Sequence, residues 1–164
     1  MTDEVPAHHP NCFGCGAENP SSMGLRMRID EGHVLGTIRF APHHEGGPGL
    51  AHGGAVAAVF DDLLGAVPSA LHLPAVTASL TVQFRAPAIL GSEVRLEAHL
   101  ERRDGRKLTI HGTMHHDATL LAEASALFLV VDLDHFRQAG QPLPDAWTHW
   151  HDSPEPRSDT PRPV

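Results

Sequence analysis

The stretch GGAVAAVFDDLLGAVPSAL, residues 53–71, constrains the fold of this chain more than any other. Its Ala and Leu content favours a helix, with a stop expected over Gly65 to Pro68. From Ala55 to Phe60 every residue is apolar, so this helix has no face suited to water and is expected to be buried on most sides. A lone helix of that kind needs a second layer around it.

The rest of the chain supplies the layer. Leu25, Met27 and Ile29 alternate with Arg26, Arg28 and Asp30. After an Asp-Glu-Gly turn, Val34, Gly36, Ile38 and Phe40 alternate with Leu35, Thr37 and Arg39, which reads as a hairpin. Four further alternating runs, at 76–84, 94–100, 108–114 and 122–130, follow the helix as half-buried strands. Their connectors are short and leave no room for crossover helices, so the sheet is expected to be largely antiparallel. The reading is an α+β fold in the order ββαββββ, one central helix wrapped by a five- to six-stranded sheet.

A chain of 164 residues suits one domain with a core of its own. Residues 1–24, rich in Gly, Pro, Asn and Ser, read as a lead-in loop; 25–133 form the domain; 134–164 form a Pro-rich tail whose first half Trp147 and Trp150 can pin. A net charge of -8 gives no basic field for a nucleic-acid backbone, although local Lys and Arg can still hold a single anion. The start MTDEVPAHHP has no basic or apolar leader region, and no apolar run approaches the roughly 20 residues that span a bilayer, so a cytoplasmic protein without a membrane partner is expected.

Cys12 and Cys15 form a C-x-x-C in NCFGCG. A tetrahedral zinc site needs two more ligands, and only His8 and His9 stand nearby in sequence. A redox pair would sit between a strand and a helix of a parallel unit, which is not found here. The pair therefore reads as a glycine-rich entry loop with reduced thiols, and neither a metal nor a cofactor is expected. The 14 histidines are scattered without an H-E-x-x-H pattern.

Chemistry concentrates at 48–65. Asp61 and Asp62 interrupt an apolar helix, where an unpaired ionised carboxylate is costly. They are adjacent, hence about 100° apart around the axis, so at most one faces a given spot. In an arbitrary helix one would cap a loop and the other reach solvent. Here, however, His52, Gly53 and Gly54 open the helix, and glycine lets backbone N–H groups approach a ligand at the positive end of the dipole, as an oxyanion hole requires. Gly53 and Asp61 are eight residues apart, about 12 Å along a helix. A carbonyl held at Gly53 or Gly54 is therefore out of reach of Asp61 in the same chain. Two helices packed about a two-fold axis would bring the pair together, which predicts a dimer with paired sites.

At this point the motifs NCFGCGAENPSSMGLRMRI, GLAHGGAVAAVFDDLLG, TASLTVQFRAPAILGSEVRLEAHLERRDGRKLTIHGTM and LLAEASALFLVV together resemble the PaaI-like acyl-CoA thioesterases of the hotdog superfamily, over roughly residues 11–132. The resemblance implies a hotdog fold, dimers often paired into tetramers, and metal-free hydrolysis of acyl-CoA or acyl-carrier thioesters. It matches Asp61 to the catalytic acid, as general base or nucleophile, and Gly53 with Gly54 to the oxyanion turn. Asp62 matches a frequently acidic neighbour. Thr77 matches a hydroxyl that helps orient water, and reads equally as an ordinary strand residue beside Ser79 and Thr81. Gly46 stands where related sequences often carry Asn or another polar side chain to touch the thioester; His52 either substitutes for it or bonds a loop carbonyl. Arg102, Arg103, Arg106 and Lys107 form the densest basic cluster, first a solvated hairpin tip and second a holder for the CoA nucleotide. Two rivals stand beside hydrolysis: a hotdog hydratase or dehydratase acting on acyl-CoA, and a non-catalytic acyl-CoA binding module.

Overall fold

The computed structural model describes residues 3–5 and 9–150. His8 and residues 151–164 of the tail lie outside the described residues. The strands are β1 (Asp3–Glu4), β2 (Arg26–Asp30), β3 (His33–Arg39), β4 (Ala75–Phe84), β5 (Glu93–Asp104), β6 (Lys107–His116) and β7 (Thr119–Val130). One long helix, α1 (Gly53–Ala70), lies between β3 and β4, and a four-residue helix, α2 (Asp134–Arg137), follows β7. All strands join one antiparallel sheet in the order β1-β2-β3-β5-β6-β7-β4. Apart from the two-residue β1, this is the expected six-stranded arrangement in the expected order. The β2–β3 hairpin closes on Glu31 and Gly32, whose φ of 48° and 83° give the doubly left-handed turn that matches strand twist.

The core lies between α1 and one face of the sheet. Val56, Val59, Phe60, Leu63, Leu64 and Val67 recur at helical spacing and are buried against Val34, Ile38, Val94, Leu108, Ile110 and Phe128. Two strand glycines set how closely the helix approaches. A Cβ on Gly36 would come 2.9 Å from Leu63 Cδ1, and one on Gly112 would come 3.0 Å from Leu64 Cδ2.

Two details differ from the sequence reading. The helix continues past Gly65 and Pro68 to Ala70. Proline removes only one amide donor near the end, and Ser69 Oγ donates to the Gly65 carbonyl at 3.0 Å. The helix is also buried along a stripe rather than on most sides: Gly53, Gly54 and Asp61 are exposed, and Ala57 and Ala58 only half-buried. A single sheet covers one side of a cylinder, so the small side chains of the opposite side remain uncovered. After β7, Trp147 meets Phe136 edge-on at 4.9 Å and stacks on Trp150 at 4.6 Å, while Trp150 lies 6.5 Å from the His72 ring beyond the end of α1. No helix among the described residues is long and apolar enough to cross a membrane.

Leu64 is fully buried over Gly112, where no Cβ exists to refill a gap. Leu64→Ala is expected to lower unfolding free energy by about 2–5 kcal/mol, read from the urea midpoint at unchanged slope. A shift near zero would mean that the helix is not seated on the sheet as described.

Candidate active site

α1 and β4 lie side by side and run in opposite directions. At one end, a Cβ on Gly53 would lie 3.5 Å from the Phe84 ring. At the other, Thr77 Oγ1 donates to Asp61 Oδ1 at 2.9 Å, and both residues are exposed. Two of the residues singled out in sequence are therefore in direct contact. Thr77 reaches the carboxylate because β4 has an irregularity between Thr77 and Ser79: Thr77 opposes Phe128 and Ser79 opposes Leu127, leaving Ala78 unpaired. Phe128 faces the helix, so Thr77 does too, whereas Ser79 and Thr81 fall on the other face.

The helix start is built from a tight loop. His52 is the N-cap, in extended conformation, and its Nδ1 accepts from the Gly54 N–H at 2.9 Å. With Nδ1 accepting, a neutral ring carries its proton on Nε2. The His52 N–H donates to the His44 carbonyl at 2.7 Å. His44 is buried, its Nδ1 accepts from the Ala41 N–H at 3.0 Å, and burial first, then neighbouring His43, lowers its pKa and favours the neutral ring. Gly46 packs onto His52: a Cβ there would lie 2.9 Å from His52 Cα, so this backbone has no room for a side chain at that position. Ala55 and Val56 N–H both bond to the His52 carbonyl, at 2.9 and 3.1 Å. With Gly54 capped, Gly53 keeps the one first-turn amide without a partner among the described residues.

A cavity of about 340 Å³ opens beneath this turn, with Val56, Met114 and Leu121 as its apolar floor and Phe84 and Arg85 at its rim. Sequence reasoning passed over Arg85; its place directly after the last residue of β4 was the available signal. Its Nε donates to Glu123 at 3.1 Å, and that hydrogen bond is the first cause holding the Glu123 carboxyl below its ordinary pKa.

Other predicted residues lie apart. Asp62 turns away from Asp61, is half-buried, and accepts from Cys12 Sγ at 3.1 Å. The hydrogen bond with Cys12 first, then burial and the Asp62 charge, push the Cys15 thiol up. Arg102, Arg103, Arg106 and Lys107 are exposed at the β5–β6 tip, where Arg103 Nε bonds the Gly105 carbonyl of its own turn at 3.2 Å. Lys107 pairs with Leu129, which pairs with Val76, so the tip is at the Thr77 end of the sheet, two strands or about 10 Å from β4. A larger groove of about 640 Å³ lies between Arg26, Arg28, Arg95 and His115 on the sheet face away from α1 and contains none of the paired groups above.

Residues 48–123, which hold α1, β4 and the whole of this seam, match the family model of the thioesterase superfamily. That segment is 76 residues, a little under half of the chain, and over it the chain is similar to the thioesterase superfamily. Among curated relatives, acyl-coenzyme A thioesterase THEM4 of Xenopus laevis is 38% identical over 90 residues, 54% of this chain and 40% of that one. The chain thus spans less than half the length of that relative. Among solved structures, the thioesterase superfamily protein RHA08564 superposes with a TM-score of 0.70 at 27% identity, over 73% of this chain and 60% of the other. The E. coli PaaI protein of the phenylacetic acid degradation operon superposes with a TM-score of 0.64 at 18% identity, over 70% and 87%, and so shares the fold. The PaaI-like hotdog resemblance drawn from the sequence holds.

Gly46→Ala is expected to displace His52 and cost about 1–3 kcal/mol, seen as a lower melting temperature. Unchanged melting would show that the loop has slack the structure does not display.

Proposed function

We propose that the protein hydrolyses acyl-CoA thioesters at a site completed by a second copy of the chain. The observation that carries this reading is the Thr77–Asp61 hydrogen bond on an exposed seam, midway along α1 and about 12 Å from the Gly53 amide at its start. Thr77 donates to Asp61 Oδ1 and so fixes the carboxylate, leaving Oδ2 to accept a proton from water. The hydroxide equivalent attacks the thioester carbonyl carbon, negative charge develops on its oxygen at the Gly53 amide and the helix N-terminus, and collapse breaks the C–S bond to release CoA as a thiolate that takes up the proton held by Asp61.

The second copy follows from distance and from the sheet edge. Asp61 and Gly53 are about 12 Å apart on one helix, whereas attack needs about 3 Å. β4 is ten residues long and occupies an edge of the sheet, with Thr77, Ala78, Ser79, Thr81, Gln83 and Phe84 all exposed. Such an edge invites strand pairing. A two-fold axis beside β4 exchanges the Thr77 and Phe84 ends of the seam, bringing Asp61 of one copy to the helix start of the other, over the uncovered Ala57 and Ala58. Along the same seam Leu80 and Val82 are half-buried, an apolar surface suited to an acyl chain. The basic tip at Arg102, Arg103, Arg106 and Lys107 stands at the same sheet end and can meet CoA phosphates.

The name of the THEM4 relative supports a CoA thioester as substrate. Against a hydratase, the His52 ring is turned to its own helix cap, more than two helical turns from Asp61. Thiol release from a panel of short, medium, long and aryl acyl-CoAs tests the proposal. Asp61→Asn is expected to lower kcat by about 10²–10⁴-fold with the fold retained. A fully active Asp61→Asn variant, or an active monomer by sedimentation, overturns it. Binding without thiol release from any ester would favour the non-catalytic module. Arg102→Glu with Arg103→Glu is expected to raise KM for CoA esters and leave kcat in place; an unchanged KM returns the tip to a solvated hairpin.

A further inference from the structure

Asp62, which the proposed reaction does not use, sits in a second cluster of chemically capable groups. Cys12 Sγ, Cys15 Sγ and a carboxylate oxygen of Asp62 all lie within 4.8 Å of one another, each residue half-buried. The Cys12 thiol and Asp62 Oδ1 are 3.1 Å apart, although 50 residues separate them in sequence.

The loop is shaped around these three atoms. The Gly14 N–H donates to Cys12 Sγ at 3.3 Å, the amide-to-sulfur bond that stabilises a thiolate bearing a metal. The Gly16 N–H returns to the Cys12 carbonyl at 2.9 Å, and the Cys12 N–H to the His9 carbonyl at 3.0 Å, so C-F-G-C-G folds as a compact knuckle. Both glycines are required by contact: a Cβ on Gly14 would lie 2.3 Å from Asp62 Cγ, and one on Gly16 would lie 2.3 Å from the Cys12 nitrogen. Phe13 and Gly14 carbonyls accept from Met23 and Leu25 N–H, at 2.8 and 3.0 Å, which ties the knuckle to the entry of β2.

We propose that Cys12, Cys15 and Asp62 form a zinc site fastening the N-terminal loop to α1. Two thiolates and a carboxylate are a borderline-soft donor set that suits Zn²⁺ better than Ca²⁺ or Mg²⁺. Zinc–sulfur bonds of about 2.3 Å and zinc–oxygen bonds of about 2.0–2.2 Å place tetrahedral ligand atoms roughly 3.5–3.8 Å apart, within adjustments of about 1 Å of the present cluster. The His9 ring is held in its own loop, its Nδ1 accepting from the Asn11 N–H at 3.1 Å, and among the described residues no fourth ligand atom joins the three, which leaves that position to a solvent molecule at this half-buried site. Binding releases the two thiol protons to solvent. The site does not depend on the hydrolytic reading: its consequence is mechanical, since the ligand Asp62 adjoins Asp61 on the helix.

The test uses the full chain, stripped with a chelator under reducing conditions and titrated with Zn²⁺ alone, then with Co²⁺. One zinc per chain by elemental mass spectrometry is expected, with a thiolate-to-cobalt charge-transfer band of two-thiolate intensity. Cys15→Ser and Asp62→Asn are each expected to weaken zinc by more than the ~10–100-fold that loss of an outer partner costs, while the distant Asp30→Asn leaves it unchanged. The proposal is overturned if reduced wild-type protein takes up no zinc, if both ligand variants bind it undiminished, or if the cobalt form lacks the charge-transfer band. A Cys12–Cys15 disulfide in freshly isolated protein, seen by mass, also overturns it. Should a variant fail to fold, the cobalt spectrum of the wild type alone decides between two thiolates and none.

Discussion

The packing of α1 across the sheet is the constraint on which the remaining structure depends. Its stripe from Val56 to Val67 reaches the strands only because Gly36 and Gly112 present bare backbone beneath Leu63 and Leu64. Fully burying each such side chain contributes on the order of 1.5–3 kcal/mol. Once the helix is seated, its rotation is fixed, and with it the direction of every other residue: Asp61 falls beside β4, while Asp62, about 100° round, falls beneath the N-terminal knuckle.

The uncovered side of that helix gives the molecule its chemical character. One antiparallel sheet ending at β4 leaves a seam of Ala57, Ala58, Leu80, Val82 and Phe84, with a carboxylate and hydroxyl at one end and a helix N-terminus at the other. Under the proposed hydrolysis, a protomer carries two halves of a reaction centre that its own geometry holds apart. The same helix places an acidic side chain against the two cysteines, so adjacent aspartates have unlike surroundings, one wet and hydroxyl-bonded, the other half-buried against sulfur.

Much of the fold was legible because alternation and apolar runs are local. The order ββαββββ, the hairpin over Glu31 and Gly32, and the helix start at Gly53 follow from spacing of two or three to four residues. Burial on most sides was overestimated, because composition counts apolar residues without saying how many layers are there to cover them. Pro68 ends the pattern but not the helix, since near a C-terminus only one donor is lost, and the Ser69 hydroxyl bonds the neighbouring Gly65 carbonyl.

Among candidate site residues, sequence alone determined that Asp61 interrupts an apolar helix, that glycines open it, and that eight residues of helical rise separate the two. What only the tertiary structure decided is which partners those residues meet. The contact of Thr77 with Asp61 depends on an irregularity at Ala78 that reverses which face of β4 follows it. The role of His52 as a cap, and the need for glycine at Gly46, come from a loop closing on itself. The meeting of Cys12 and Cys15 with Asp62 joins positions 50 residues apart. The physical reason is common to all three: periodicity records which face a residue occupies, whereas chain closure, strand register and the seating of a helix bring faces together, and these are properties of the whole packed molecule.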